Sequence, residues 1–153
     1  MPDGVFKKPE SVLVLIHTSA REVLLIERAL HRGFWQSVTG SLEEGESPRE
    51  TACRELAEET GIVITADQLC DWQLSNRFEI FGQWRHRYAP GVTHNIEHVF
   101  SLELPTARQV RLAPEEHVDA VWLPWREAAE KCFSWSNRDA ILMLPLRHPS
   151  NTQ

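Results

Sequence analysis

The arrangement of apolar and polar positions predicts strands and helices in alternation. Residues 11–17 (SVLVLIH) form a continuous apolar run, the pattern of a strand buried on both faces. Glu22–Arg28 (EVLLIER) is a second such run, separated from the first by the turn-like Thr18-Ser19-Ala20-Arg21. Residues 34–39 (FWQSVT) predict a short strand, and residues 62–65 begin another extended segment. Strand-like patterns return at 71–81 and 96–104, with 85–95 as a long connection between them. Residues 118–123 (VDAVWL) alternate as a strand, and 124–132 (PWREAAEKC) start a helix with Pro124 at its front. The last helix is expected over 137–144 (NRDAILML), capped by Asn137 and stopped before Pro145. These elements predict an α/β fold of the α+β kind, with a mixed sheet between helices. No repeat, low-complexity linker or composition break divides the chain, so one domain is expected over residues 1–153.

The most informative helix is Pro48–Thr60. Ser47 is a good N-cap, Pro48 suits the first helical position, Glu50 completes a capping box and Gly61 supplies the stop. The helix is then about 20 Å long at 1.5 Å per residue. On it, Glu55, Glu58 and Glu59 fall at i, i+3 and i+4, on a face expected to be exposed. Like charges at these spacings cost a few tenths of a kcal/mol per pair, and acids in the last turn oppose the helix dipole. A hard divalent cation with oxygen ligands would offset both effects.

The stretch around that helix has a spacing of its own. Gly40, five residues, Glu46, seven residues, then Arg54-Glu55-Leu56-Ala57-Glu58-Glu59-Thr60-Gly61-Ile62 resembles a complete Nudix box, Gly-x5-Glu-x7-Arg-Glu-U-x-Glu-Glu-x-Gly-U with U aliphatic. The resemblance implies an α/β/α sandwich and hydrolysis of phosphoanhydrides with Mg²⁺ or Mn²⁺. It further implies that Glu55, Glu58 and Glu59 hold metal or orient the attacking water. Gly40 lets the backbone come close and offers its carbonyl to the metal. Glu46 and Arg54 lock the loop onto the helix by an ion pair. Some members of the family recruit an acid from outside the box, which leaves Glu58 and such an outside residue both open as the general base. Glu116, in the Pro114-Glu115-Glu116-His117 stretch before the strand at 118–123, is the candidate for that acid and for a further metal ligand.

Composition narrows the setting. At 153 residues, 42% hydrophobic and 25% charged, the chain has the make-up of a globular protein with a real core. A net charge of −6 without a basic stripe argues against a nucleic-acid-acting protein. Cys53, Cys70 and Cys132 are odd in number and lack metal-ligand spacing, so they are expected to be reduced and mostly buried. The stretch MPDGVFKKPES has no apolar signal-peptide core, and no apolar run is long enough to span a membrane. The expectation is a cytoplasmic protein with no nucleic-acid or membrane partner and an oligomeric state that the sequence leaves open.

Outside the box, several separated pieces resemble one branch of the Nudix family. They are Val5-Phe6-Lys7-Lys8-Pro9, residues 34–41, Phe78-Glu79-Ile80-Phe81, residues 85–93 and Ser134-Trp135-Ser136-Asn137-Arg138. That branch releases pyrophosphate from 7,8-dihydroneopterin triphosphate, an early step in folate synthesis, and leaves the monophosphate. The alternative within the family is a pyrophosphatase of oxidised or canonical nucleoside triphosphates. Lys7 and Arg28 are candidates for phosphate binding, as a point charge and a bidentate fork. Arg85, His86 and Arg87 form a second basic cluster. Glu79 can accept hydrogen bonds from the amino and ring N–H groups of a pterin. Phe78 and Phe81 offer stacking faces, with the core as the competing place for Phe81, and backbone groups through Ile80 can read the same edge. Thr39 and Ser134 supply short hydroxyls. Six tryptophans are to be divided between core and pocket wall.

Overall fold

A computed structural model describes residues 6–148 of the chain; Val5, part of the N-terminal piece that resembles the pterin branch, lies outside them. Seven strands form one mixed sheet: β1 (Glu10–Thr18), β2 (Glu22–Arg28), β3 (Trp35–Gln36), β4 (Val38–Ser41), β5 (Cys70–Glu79), β6 (His94–Leu104) and β7 (His117–Pro124). Four helices flank it: α1 (Pro48–Thr60), α2 (Trp125–Lys131), α3 (Trp135–Leu142) and α4 (Leu144–Arg147). No helix among the described residues is long and apolar enough to cross a membrane.

β1 is the axis of the sheet, and its continuous apolar sequence reflects burial on both faces. Val12, Val14 and Ile16 pack with Ala52 and Leu56 of α1. Leu13 and Leu15 pack with Ala128 of α2, Ala140 and Ile141 of α3 and Leu144 of α4. Alternate side chains of one strand thus join two cores, and the helices lie on opposite sides of the sheet. This is the α/β/α sandwich, built on a mixed sheet.

The two edges of β1 are occupied differently. β6 runs parallel to it over its whole length, from Glu10 opposite Ile96 to Thr18 opposite Leu104. On its other side the first half of β1 pairs with β4, with Ser11 opposite Ser41, Val12 opposite Gly40 and Leu13 opposite Thr39. β2 meets β1 only near its far end, at His17 opposite Val23. β2 then diverges to pair with β3 and β7.

The α1 boundaries agree with its capping residues. Ser47 accepts a hydrogen bond from the Glu50 amide, Glu50 accepts one from the Ser47 amide, and Gly61 closes the helix in the left-handed region at φ 76°. Elsewhere the structure corrects local expectations. Residues 62–65 join no strand and lead into a short 3₁₀ turn, Ala66–Gln68. Pro124 precedes α2 as its N-cap. Pro145 lies in the first turn of α4 and so does not mark the end of helical structure. Ser134, three residues before Asn137, caps α3 and starts it at Trp135. That frees the Asn137 side chain to accept from the Ser37 amide at 2.7 Å and donate to the Ser37 hydroxyl at 3.0 Å. The break between β3 and β4 is thereby pinned to α3 by a fully buried amide. The cysteines are free, but Cys70 is exposed and the other two only half-buried.

Arg54 ties the loop before α1 to the helix. Its guanidinium donates to both oxygens of Glu46, at 2.7 and 2.9 Å, and to the Ser41 carbonyl at 3.1 Å. Glu46 also accepts from the Glu43 amide and the Thr51 hydroxyl. Its hydrogen bonds, those from Arg54 first, hold its carboxyl down at about 2.

Both the half-buried Arg54–Glu46 pair and the buried Ser37–Asn137 pair should be measurable as stability. A carboxyl held below its ordinary value stabilises the fold above that ordinary value and loses the contribution as pH falls. Glu46 should therefore add a stability loss between about pH 4.5 and about pH 2. In Glu46→Gln, chemical denaturation across that window should show a flatter decline, with a loss at neutral pH of about 1–3 kcal/mol; an unchanged pH profile would contradict the pairing. Asn137→Ala should cost about 1–3 kcal/mol in urea unfolding, because the Ser37 amide is left buried without an acceptor.

Candidate active site

A cavity of about 860 Å³ opens between the first half of β1, the C-terminal half of α1, the β5–β6 connection and the start of α3. Its walls divide by chemistry into an acidic side, a cationic side, an aromatic face and a buried polar recess.

The acidic side is α1. Glu55 and Glu59 are buried, at 9% and 4% exposure, which corrects the expectation of an exposed helix face; Glu58 is exposed. Burial raises both buried carboxyls, that of Glu59 well above the ordinary value, and the neighbouring Glu55 adds to its rise. Two adjacent buried acids cannot both carry charge unless a cation sits with them. Existing contacts hold them only in part. Arg54 donates to Glu55 at 3.1 Å and to Glu58 at 3.2 Å, and the Thr39 amide donates to Glu59 at 3.4 Å.

Gly40 lies against this pair. A Cβ built there would overlap the Glu55 carboxylate, so only glycine leaves that carboxylate its place. Glu115 and Glu116 are exposed at the rim. Of the two, Glu116 bears on the charge of both Glu59 and Arg28. The donor set of Glu55, Glu59, Glu116 and the nearby backbone is hard oxygen throughout, which fits a divalent cation such as Mg²⁺.

The cationic side faces it. The β2–β7 register shifts between Glu27 and Arg28, bringing Arg28 opposite His117 at the cavity. Arg28 bonds Gln36 at 3.4 Å and lies 4.9 Å over Trp84. The Lys7 amide donates to the Arg87 carbonyl at 2.8 Å, which fastens the N-terminal segment beside the 3₁₀ helix Gly82–Arg87. Desolvation lowers the pKa of both Lys7 and Arg28, and Arg87 lowers each further. Arg87 is thus the member of the 85–87 cluster that belongs to the site, whereas Arg85 is paired with Glu79.

The aromatic face joins Phe81, Trp84 and Phe133. Phe81 and Trp84 have ring centroids 5.3 Å apart, and Phe133 stacks on Phe34 at 4.7 Å. Phe81, at 45% exposure, belongs to the cavity wall and not to the core. Trp84 and the exposed Trp135 line the cavity, while Trp35, Trp72, Trp122 and Trp125 pack in the two cores.

The other ring-reading candidates are differently placed. Phe78 and Glu79 line the cavity, but Glu79 is exposed and its carboxylate is taken by Arg85. Ile80 is buried, its amide donating to the Thr93 carbonyl and its own carbonyl accepting from Arg85. That leaves its backbone N–H engaged within the fold and its carbonyl shared with Arg85. Ser134 lines the cavity while its hydroxyl caps α3.

Sequence reasoning missed the polar recess: Asn95 and Glu97 on β6, with Gln36 and His117 nearby. Among the described residues five buried side-chain atoms lack a hydrogen-bond partner, and four of them, Arg28 Nε, Asn95 Oδ1, Glu97 Oε1 and His117 Nδ1, belong to residues lining this cavity. Native interiors leave few such atoms, so their concentration here marks a ligand site. The fifth, His17 Nε2, lies with Glu103 and His148 in a cluster that takes no part in the cavity.

Known proteins share this architecture. The model of the NUDIX domain matches residues 7–144. The dihydroneopterin triphosphate diphosphatase of Escherichia coli (strain K12) is 48% identical over 144 residues, covering 92% of this chain and 95% of that protein. The enzyme of that name from Haemophilus influenzae is 40% identical over 139 residues, covering 89% and 87%. The solved structure of the E. coli dihydroneopterin triphosphate pyrophosphohydrolase matches with a TM-score of 0.86 at 46% identity, over 94% of this chain and 99% of that one. With the domain matched across almost all the described residues, the chain belongs to the Nudix family.

Proposed function

We propose that this protein is a Mg²⁺-dependent pyrophosphohydrolase that converts 7,8-dihydroneopterin triphosphate to the monophosphate and pyrophosphate. The observation that carries this reading is the opposition of two only partly compensated charge sets across one cavity. Glu55 and Glu59 need a cation, and Lys7, Arg28 and Arg87 need an anion. A metal–polyphosphate complex satisfies both. The aromatic face supplies a platform for a planar ring, and the 48% identity to the E. coli dihydroneopterin triphosphate diphosphatase supports a pterin as that ring.

Glu55, Glu59 and Glu116, with the Gly40 carbonyl, would hold the divalent ion, which neutralises phosphate oxygens and makes the attacking water easier to deprotonate. Either Glu58, exposed at the cavity and bonded by Arg54, or Glu116 from outside the box would take the proton from that water. Lys7 and Arg28 bind the phosphate chain, Lys7 as a point charge and Arg28 through its unpartnered Nε. Thr39 positions Glu59 through its amide. Phe78, Phe81 and Ser134 border the ring and the adjoining phosphate.

Pyrophosphate release from dihydroneopterin triphosphate, beside a panel of canonical and oxidised nucleoside triphosphates, tests the substrate. A preference of ten-fold or more in kcat/KM for the pterin, about 1.4 kcal/mol of transition-state discrimination, is the expected result; a profile led by a purine nucleotide would overturn it. Glu59→Gln should weaken activation by Mg²⁺ more than about 100-fold. The same change removes one of two crowded buried acids, so the metal-free melting temperature should hold or rise; a fall with retained turnover would contradict the assignment. Gly40→Ala should abolish most of the turnover by displacing the buried Glu55 carboxylate from its place beside Arg54, and retained turnover would contradict the metal role of Glu55.

A further inference from the structure

The recess at the inner end of the cavity contains a buried acid that neither the metal nor the phosphates explain. Glu97 is 5% exposed on β6, with Oε1 unpartnered, and no cation contributes to its surroundings. Two residues earlier on the same face, Asn95 is 3% exposed. Its amide nitrogen donates to the Ser11 hydroxyl at 2.7 Å, which turns the oxygen, Oδ1, the other way and leaves it unpartnered. A buried amide oxygen and a buried carboxylate oxygen without donors have lost their hydration and gained nothing in exchange unless a ligand pairs with them. Both residues line the cavity, so a ligand can supply the missing donors.

We propose that Glu97 and Asn95 form the ring-recognition subsite, accepting hydrogen bonds from the amino and ring N–H groups of a 2-amino-4-oxopyrimidine edge. The inference rests on the proposed hydrolysis in this cavity and deepens it by naming the specificity-determining residues. Such an edge is guanidine-like, with two or three N–H donors in a plane, and a carboxylate accepts from it in bidentate fashion.

The register of the sheet puts the subsite at a suitable distance from the acids of α1. Ser11 lies between Ser41 of β4 on one side and Glu97 of β6 on the other. Two strand spacings, roughly 10 Å, therefore separate the box strand from Glu97, which leaves room for a phosphate chain between the metal site and the ring. The carboxyl of Glu97 also suits such a partner. Burial pushes it up to about 7, against the hydroxyl of Ser136 and the amide of Asn76. A donor-rich ring edge would restore its charge. Glu79, in contrast, is exposed and already neutralised by Arg85.

The subsite is tested first on the unaltered protein, by comparing GTP with ITP, which differs from it only in lacking the 2-amino group. Recognition through Glu97 and Asn95 predicts a kcat/KM for GTP at least about ten-fold above that for ITP, the discrimination that a good bidentate contact supplies. In Glu97→Gln the preference should shrink to about three-fold or less, and KM for dihydroneopterin triphosphate should rise about ten-fold or more. Equal treatment of GTP and ITP by the wild-type protein would overturn the subsite without any variant having to fold. So would a Glu97→Gln protein that keeps the full preference. If the wild-type protein favours GTP over the pterin and still discriminates against ITP, the proposed substrate fails while the recess assignment stands.

Discussion

The site depends on the enforced closeness of Glu55 and Glu59. Both are buried, one turn apart on α1, and burial together with the neighbouring Glu55 raises the cost of ionising Glu59. A helix selected for stability alone would not keep them, because like charges at this spacing destabilise it and no basic residue in its last turn offsets the dipole. Much of the surrounding structure holds the pair in place. Arg54 clamps Glu55 and Glu58 from one side while fastening the preceding loop through Glu46, the Thr39 amide reaches Glu59, and Gly40 leaves the space that Glu55 occupies. The well-formed capping box and left-handed Gly61 stop supply local stability to a helix whose functional face is unfavourable.

β1 converts this local arrangement into a site of useful size. Its first half carries β4 on one side and β6 on the other, so Gly40 and Glu97 are held at a set separation by backbone hydrogen bonds. The cationic groups come from other directions: Arg28 from the end of β2 beside a register shift, Arg87 from the connection after β5, and Lys7 from the segment before β1. The buried Ser37–Asn137 pair docks α3 onto the β3–β4 break and closes the inner wall. Rigid strands thus set the distance between the acids and the recess, and connections supply the groups that contact the phosphates and the ring face.

What was legible in the sequence was what is encoded locally. Ser47, Glu50 and Gly61 define α1 by short-range hydrogen bonds, and the apolar runs of β1 and β2 report burial directly. The spacing of the box likewise marked the acidic wall. The local rules ran out where two residues compete for one role. Ser134 and Asn137 are both good caps, and only the docking of α3 against Ser37 decides between them. Glu59 looked exposed because its helix face is polar, yet that face is covered by β4 and the cavity wall. Phe81 fits either a core or a wall position in an alternating segment, and the fold puts it on the wall with Trp84 and Phe133. Glu97 carried no signal at all. An acid in a strand such as HNIEHVFSLEL usually faces water, and its burial comes from parallel pairing with Ser11 and from α3 packing over it.

The central claim is that the acidic and cationic walls are made for one another's ligand, a divalent ion and a polyphosphate bound as a unit. Thermal unfolding with Mg²⁺ alone, with a non-hydrolysable triphosphate alone and with both together tests this most directly. The account predicts a melting-temperature rise with both well above the sum of the separate rises, because each ligand neutralises the charge set that repels the other ligand. Separate and merely additive shifts would mean that the two walls act independently, and the site would not be a single metal–polyphosphate site.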